Sequence, residues 1–159
     1  FKDIQDALFL DHIIGRCKHF NIEARQIVFE LLETEAIDDP QRSISFFTGL
    51  KRAGFCFAID DFGTGHSNFA NLSMMQADFI KIDGQFIKDI TQNPNSLAIT
   101  KSISEFAKVM GAQTIAEFVK DETTLLAVKG LHIDYAQGFV ISPAVPESEI
   151  DGLLERFNG

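Results

Sequence analysis

The chain has 159 residues, of which 45% are hydrophobic and 16 are phenylalanine, enough to bury the core of one globular domain and too apolar for a disordered segment. Its net charge of −9, from 14 basic and 23 acidic residues, argues against a nucleic-acid polymer or an anionic membrane surface as partner. No run reaches the roughly 18 uncharged apolar residues of a membrane span, and Phe1 in place of Met, without a signal segment, is read as part of a longer cytoplasmic protein.

Residues 4–17 carry the first helical pattern, followed by a strand at 26–32 (QIVFELL) short and apolar enough to be buried on both faces. Asp39-Pro40 opens a helix with the stripe Ile44, Phe47 and Leu50, and Gly54 follows its end, where a left-handed residue is cheap. Strands follow at 55–60 (FCFAID) and 79–83 (FIKID). Pro94 opens a helix with Ile99, Ile103, Phe106 and Met110 on one stripe and Gly111 as its stop. A strand at 114–119 (TIAEFV), a helix at 122–128, a strand at 135–142 (YAQGFVIS) and a helix at 147–157 complete the chain. This alternation predicts five parallel strands joined by crossover helices in one unit, with no linker or repeat dividing it. Cys17 and Cys56 lie in no CxxC or Cys/His cluster and are expected as free thiols.

Charged side chains fall late in these apolar strands: Glu30 and Glu33, Asp60 and Asp61, Lys81 and Asp83, and Glu117, with Gln137 earlier in the fifth. The carboxyl ends of parallel strands share one rim, so these groups meet in space. The period of two puts Glu30, Asp60, Lys81, Glu117 and Gln137 on one face. An open doubly wound sheet brings only the strands beside its switch point to a ligand, whereas a barrel aims every strand at one mouth, so five contributing strands favour a TIM-like (β/α) barrel. Alone, Asp61 reads as a helix cap and Lys81 as half of an internal ion pair. Glu30 resists such a reading, because a carboxylate between Phe29 and Leu31 needs a metal or cationic partner. Glu30, Asp60, Asp61 and Glu117 form an oxygen-only set suited to Mg²⁺ or Mn²⁺, and none of His12, His19, His66 and His132 has HxxxH spacing.

The segments FELLETEA, AIDDFGTGHSN, FIKIDGQFI, TIAEFVKDE and DYAQGFVISP, in this order, resemble the later motifs of EAL domains, bacterial phosphodiesterases that open cyclic di-GMP to linear pGpG. The resemblance covers essentially the whole chain and implies that residues 1–159 are the C-terminal part of such a domain, an incomplete barrel lacking the Glu-Ala-Leu strand and the strand of a metal-binding Asn. It implies a two-metal site in which Glu30 binds the first ion, Asp60 bridges both, and Asp61 and Glu117 bind the second. Glu117 is also the implied base, Lys81 holds water and phosphate with Gln137 nearby, and Glu33 anchors the loop 62–67. Implied substrate contacts are Asp61, Phe62, Gly63, Lys81, Asp83 and Gln137.

His66, Asn68, Phe118 and Lys120 depart from the family's usual residues, Phe118 and Lys120 standing in EFVK where EGVE is usual. The intact parent is expected to hydrolyse cyclic di-GMP; this segment alone is expected to be inactive and to form a homodimer, or to pair with missing strands, through its open barrel edge. An upstream sensory or diguanylate-cyclase-like domain fits the same resemblance. The competing readings are a cyclic di-GMP sensor that does not cut its ligand, and an aldolase-like barrel with a Schiff base on Lys81, which nearby carboxylates disfavour by keeping the amine protonated.

Overall fold

The computed structural model describes residues 7–38, 40–64 and 73–157. Five strands, β1 (Val28–Leu32), β2 (Cys56–Phe62), β3 (Phe79–Ile82), β4 (Gln113–Ala116) and β5 (Tyr135–Ala136), form one parallel sheet in strictly sequential order. A doubly wound sheet reverses its order at a switch point. Here each crossover adds its strand on the same side as the last, which is the winding of a (β/α) barrel, and five strands make an arc of it. The helices are α1 (Ala7–Phe20), α2 (Glu33–Asp38), α3 (Pro40–Arg52), α4 (Gly84–Ile87), α5 (Pro94–Met110), α6 (Glu122–Gly130) and α7 (Ile150–Phe157), the last preceded by a 3₁₀ turn at Glu147–Glu149. None of the described helices is long and apolar enough to cross a membrane.

The expected helix ends have physical stops. Asn21, in the left-handed region, ends α1 three residues beyond the expected Cys17, and Ile22 N–H closes the turn on the Cys17 carbonyl at 2.9 Å. The expected start at Ile4 lies outside the described residues, as does Asp39. Asn93 caps α5, its Oδ1 accepting from Asn95 N–H at 2.9 Å, and Gly111 at φ 73° ends it. The stripe expected on α5 is rotated: Ile99 is exposed, and the buried face is Ser96, Thr100, Ile103, Ser104 and Ala107. Small side chains let this helix lie close to the sheet, and Ser104 Oγ donates to the Leu131 carbonyl at 3.2 Å.

The fifth strand is the largest departure. In place of 135–142 only Tyr135–Ala136 are regular strand, because Gly138 at φ 155° turns the chain and its carbonyl accepts from Ile141 N–H at 3.0 Å. A Cβ on Gly138 would overlap the backbone of Val119, so only glycine lets residues 137–139 lie against the end of β4. The two short helices α2 and α4 follow directly on β1 and β3 and were not expected.

The outer face of the sheet makes the core: Leu31, Phe57, Ile59, Ile80, Ile82 and Ala116 are buried under the helices. Phe47 of α3 stacks on Phe57 at 4.2 Å between centroids, each ring contributing about 1.5–3 kcal/mol by burial. The inner face carries the polar residues in its middle, while Val28, Leu32 and Tyr135 toward its edges are exposed. Cys17 and Cys56 are free thiols, as expected.

Two aspartates pin strand starts in the same way. Asp78, just before β3, accepts from Phe57 N–H of β2 at 3.0 Å, and Asp134, just before β5, accepts from Thr114 N–H and Oγ1 of β4 at 2.8 and 2.9 Å. Thr114 is buried, so Asp134→Ala strands two donors away from water. Urea denaturation should show a loss of about 1–3 kcal/mol; a loss indistinguishable from zero would remove Asp134 from this role.

Candidate active site

The site is built at the carboxyl rim of the sheet. In a regular strand adjacent residues face opposite sides, so Asp60 and Asp61 should diverge. The pairing of β2 with β3 slips between Ile59↔Ile80 and Phe62↔Ile82, placing one extra residue on β2. That bulge, with Asp61 left-handed at φ 53°, turns both carboxylates toward the same region. Aspartate tolerates this backbone better than most residues. Carboxylate oxygens of Asp60, Asp61 and Glu117 then lie within 4.8 Å of one another, with Glu117 supplied by the residue just after β4.

Lys81, on β3 and only 6% exposed, stands against this group. Its Nζ lies 2.8 Å from Asp60 Oδ1, 2.9 Å from Glu117 Oε1 and 3.1 Å from Glu30 Oε2. Burial by itself would lower its pKa, but the hydrogen bonds to Asp60, Glu117 and Glu30 outweigh that and hold it above the ordinary lysine range. A Schiff-base lysine needs the opposite shift, so Lys81 is a fixed cation and the aldolase-like reading fails on this amine. Glu117 is pushed up, first by its own burial and then by Asp60 and Asp61, against the lowering effect of Lys81. Asp61 is pushed up by burial, by the Asp60 charge and by a hydrogen bond with Asp83.

Glu30, Asp60 and Glu117 thus share the Lys81 ammonium, and Asp61 and Asp83 add two more carboxylates beside them. The donors are all oxygen, and Asp61 and Glu117 are raised by burial first and by neighbouring carboxylates second, a cost that a proton or a hard cation would relieve. This acidic cluster fits Mg²⁺ or Mn²⁺ as a donor set, with Glu30 reaching it through Lys81 and lying outside the compact trio.

The other expected site residues fall into three places. Glu33, first residue of α2 and fully buried, accepts Gly63 N–H on Oε2 at 2.8 Å, so it holds the chain after β2. Gly63 has φ 102° and abuts Phe86 and Ile103 too closely for a Cβ. Phe62 is buried with its ring stacked on Phe106 at 5.9 Å, which leaves only its backbone for a ligand. Asp83 caps α4, accepting from Gln85 N–H at 2.6 Å. Gln137 is exposed near Glu117, its N–H bonded to the Ala116 carbonyl at 2.8 Å. His66, Ser67 and Asn68 lie outside the described residues.

Beside Glu117 and Gln137 opens a cavity of about 590 Å³, which the spacing of the strand residues did not foretell. Its wall includes Phe118, a non-glycine residue held at φ 54°, a conformation that costs roughly 1–2 kcal/mol for an L side chain.

The EAL domain family matches residues 2–144. The chain belongs to the EAL domain family. It is 36% identical over 137 residues to the cyclic di-GMP phosphodiesterase PdeB of Shewanella oneidensis, covering 86% of this chain and 16% of that protein. Among solved structures, the EAL domain of Mycobacterium smegmatis DcpA superposes with a TM-score of 0.86 at 31% identity, covering 94% of this chain and 67% of that one. The PaMucR phosphodiesterase in complex with c-di-GMP superposes with a TM-score of 0.88 at 25% identity, covering 93% and 60%. The chain therefore spans about a sixth of the first of these relatives and about three fifths of the last of these solved chains. EAL membership explains why the acids gather at the carboxyl rim of a barrel-type sheet, the place where such barrels keep their chemistry.

Proposed function

We propose that the full-length protein hydrolyses cyclic di-GMP to linear pGpG with the help of Mg²⁺ or Mn²⁺. The observation that carries this reading is the convergence of Asp60, Asp61 and Glu117 at one rim, with Lys81 paired to Asp60 and Glu117, in a chain of the EAL family whose relatives include cyclic di-GMP phosphodiesterases. Glu30, Asp60, Asp61 and Glu117 would hold the cations, which would supply an acidified water and neutralise phosphate charge. Glu117, its carboxylate made more basic by burial, is suited to take the proton of the attacking water. Lys81 keeps its charge beside the same carboxylates and can hold a phosphate oxygen once a cation shares those acids. Glu33 orients the Gly63 backbone, and Gln137 and Asp83 would border the substrate. Residues 1–159 would be the C-terminal part of the domain, and the exposed Val28, Leu32 and Tyr135 support association at the edges of the sheet.

The test is incubation of the full-length protein and its Glu117→Gln variant with cyclic di-GMP and Mn²⁺ or Mg²⁺, with pGpG measured by chromatography. Product is expected from the parent, none with a chelator, and at least roughly 100-fold less from the variant. Binding without product would assign the protein as a cyclic di-GMP sensor. Equal product from the variant would remove Glu117 as base.

A further inference from the structure

The cavity beside the acidic cluster has two aromatic rings in its wall, with Lys88 and Lys120 as its cations and Asp89 and Glu117 as its acids. Phe118 immediately follows Glu117, is 55% exposed, and lines the cavity together with Phe139, which is 75% exposed. Two large apolar rings left open to water next to a catalytic rim are unusual for surface scaffold. The Phe118 ring is held by two residues four positions apart on α4 and its C-cap. Lys88 Nζ, from the residue after α4, sits 4.3 Å from the ring centroid, and Gly84 at the start of α4 offers the ring a surface with no Cβ. Any side chain on Gly84 would overlap that ring. The left-handed backbone at Phe118 therefore projects a ring onto a seat shaped for it.

The charge nearest this ring is cationic, Lys88 Nζ, while Lys120, Asp89 and Glu117 complete the charged part of the cavity wall. Lys88 and Lys120 are both exposed and both line the cavity, in a chain whose net charge is −9. Aromatic rings interleaved with ammonium groups form the pattern that receives a nucleotide, the base stacking on the ring and the phosphates meeting the cations. The volume of about 590 Å³ lies in the range of pockets that enclose a ligand of nucleotide size.

We propose that Phe118 is a specificity-determining platform on which one purine base of the cyclic dinucleotide stacks, with Phe139 bordering the base and Lys88 and Lys120 drawing in the phosphates. This rests on the phosphodiester reading of the neighbouring site. The base takes the part of the ring that Lys88 leaves open. It thereby anchors the substrate one residue away from Glu117, so binding strength and position of the scissile bond are set by adjacent side chains.

The experiment compares kcat and KM for cyclic di-GMP in the full-length protein and its Phe118→Gly, Phe118→Leu and Phe118→Tyr variants, with melting temperatures measured alongside. Phe118→Gly is expected to fold at least as stably, since glycine accepts φ 54° without strain, yet to raise KM by roughly 5- to 100-fold. Phe118→Leu, which keeps bulk and backbone strain but has no π face, should also raise KM, and Phe118→Tyr should restore it. KM values in the glycine and leucine variants equal to that of the parent would overturn the proposal, as would a leucine variant that binds as tightly as the tyrosine variant. Those outcomes leave phosphodiesterase activity standing; a parent that neither binds nor cleaves cyclic di-GMP removes that reading and this one together.

Discussion

Replacing Asp60 by Asn is expected to reduce hydrolysis of cyclic di-GMP by the full-length protein roughly 10³-fold, while the protein stays folded. Asp60 is the centre of the rim: its Oδ1 accepts from Asp61 N–H at 3.0 Å and lies 2.8 Å from Lys81 Nζ, and the same carboxylate belongs to the trio with Asp61 and Glu117. Asparagine keeps the shape and an oxygen that accepts both of those hydrogen bonds. It removes one negative charge and one metal-binding oxygen, so the loss should appear in kcat and in bound Mn²⁺ rather than in melting temperature. Single-turnover kinetics and metal analysis of the purified variant would check this. Turnover within tenfold of the parent would show that the rim does not depend on this carboxylate, and the two-metal reading would fall.

The second large effect is expected on stability. Lys81→Met removes the one ammonium that, among the described residues, pairs with Glu30, Asp60 and Glu117. The Glu30 side chain is 50% exposed, so solvent screens that arm and it contributes little. The weight lies with Asp60 and Glu117, whose side chains are 20% and 11% exposed and would be left as unpaired charges. Breaking a buried pair in this way costs about 3–5 kcal/mol, so denaturation midpoints in chelator should fall sharply.

The loss has a defined pH dependence. Without Lys81 the folded-state pKa of Glu117, already raised by burial, rises further above its unfolded value. A carboxyl group raised in the folded state binds its proton more tightly there, so the variant is least destabilised near and below the ordinary carboxylate range. Its deficit grows as pH climbs through the raised value toward neutrality. Mn²⁺ or Mg²⁺ should restore more stability to the variant than to the parent, since a cation replaces the missing charge. A variant as stable as the parent in chelator, with no response to pH or metal, would refute this account of the rim.

Several of the site's features were legible in the linear order of residues because they depend on local rules. An ammonium between Ile80 and Ile82 is costly unless something compensates it, and the structure sets Asp60, Glu117 and Glu30 around it; Glu30 itself, expected in a strand buried on both faces, is exposed, because β1 is the last strand on its side of the described sheet. Pro94 and Gly111 bracket α5, and Gly54 follows α3, because proline and glycine act on their own backbone. The parallel sheet follows from strands alternating with helices.

Other features depend on partners far along the chain. Helix α2 is a few residues between a strand and a proline, too short to show a periodicity, yet it carries Glu33 to the Gly63 amide. The fifth strand looked longer than it is because its apolar run continues past Gly138, and the crowding of Val119 against that glycine decides where it turns.

The amino-acid order alone determined which residues are acidic, which runs are apolar, where α5 begins and ends, and therefore that charges would collect on one rim of a parallel sheet. Those outcomes rest on side-chain chemistry and on backbone preferences within a few positions. Tertiary structure alone decided that the neighbours Asp60 and Asp61 aim together, because their bulge exists only against β3, and that Phe118 holds a strained backbone, because its ring has a seat only where Gly84 and Lys88 of another segment come to meet it.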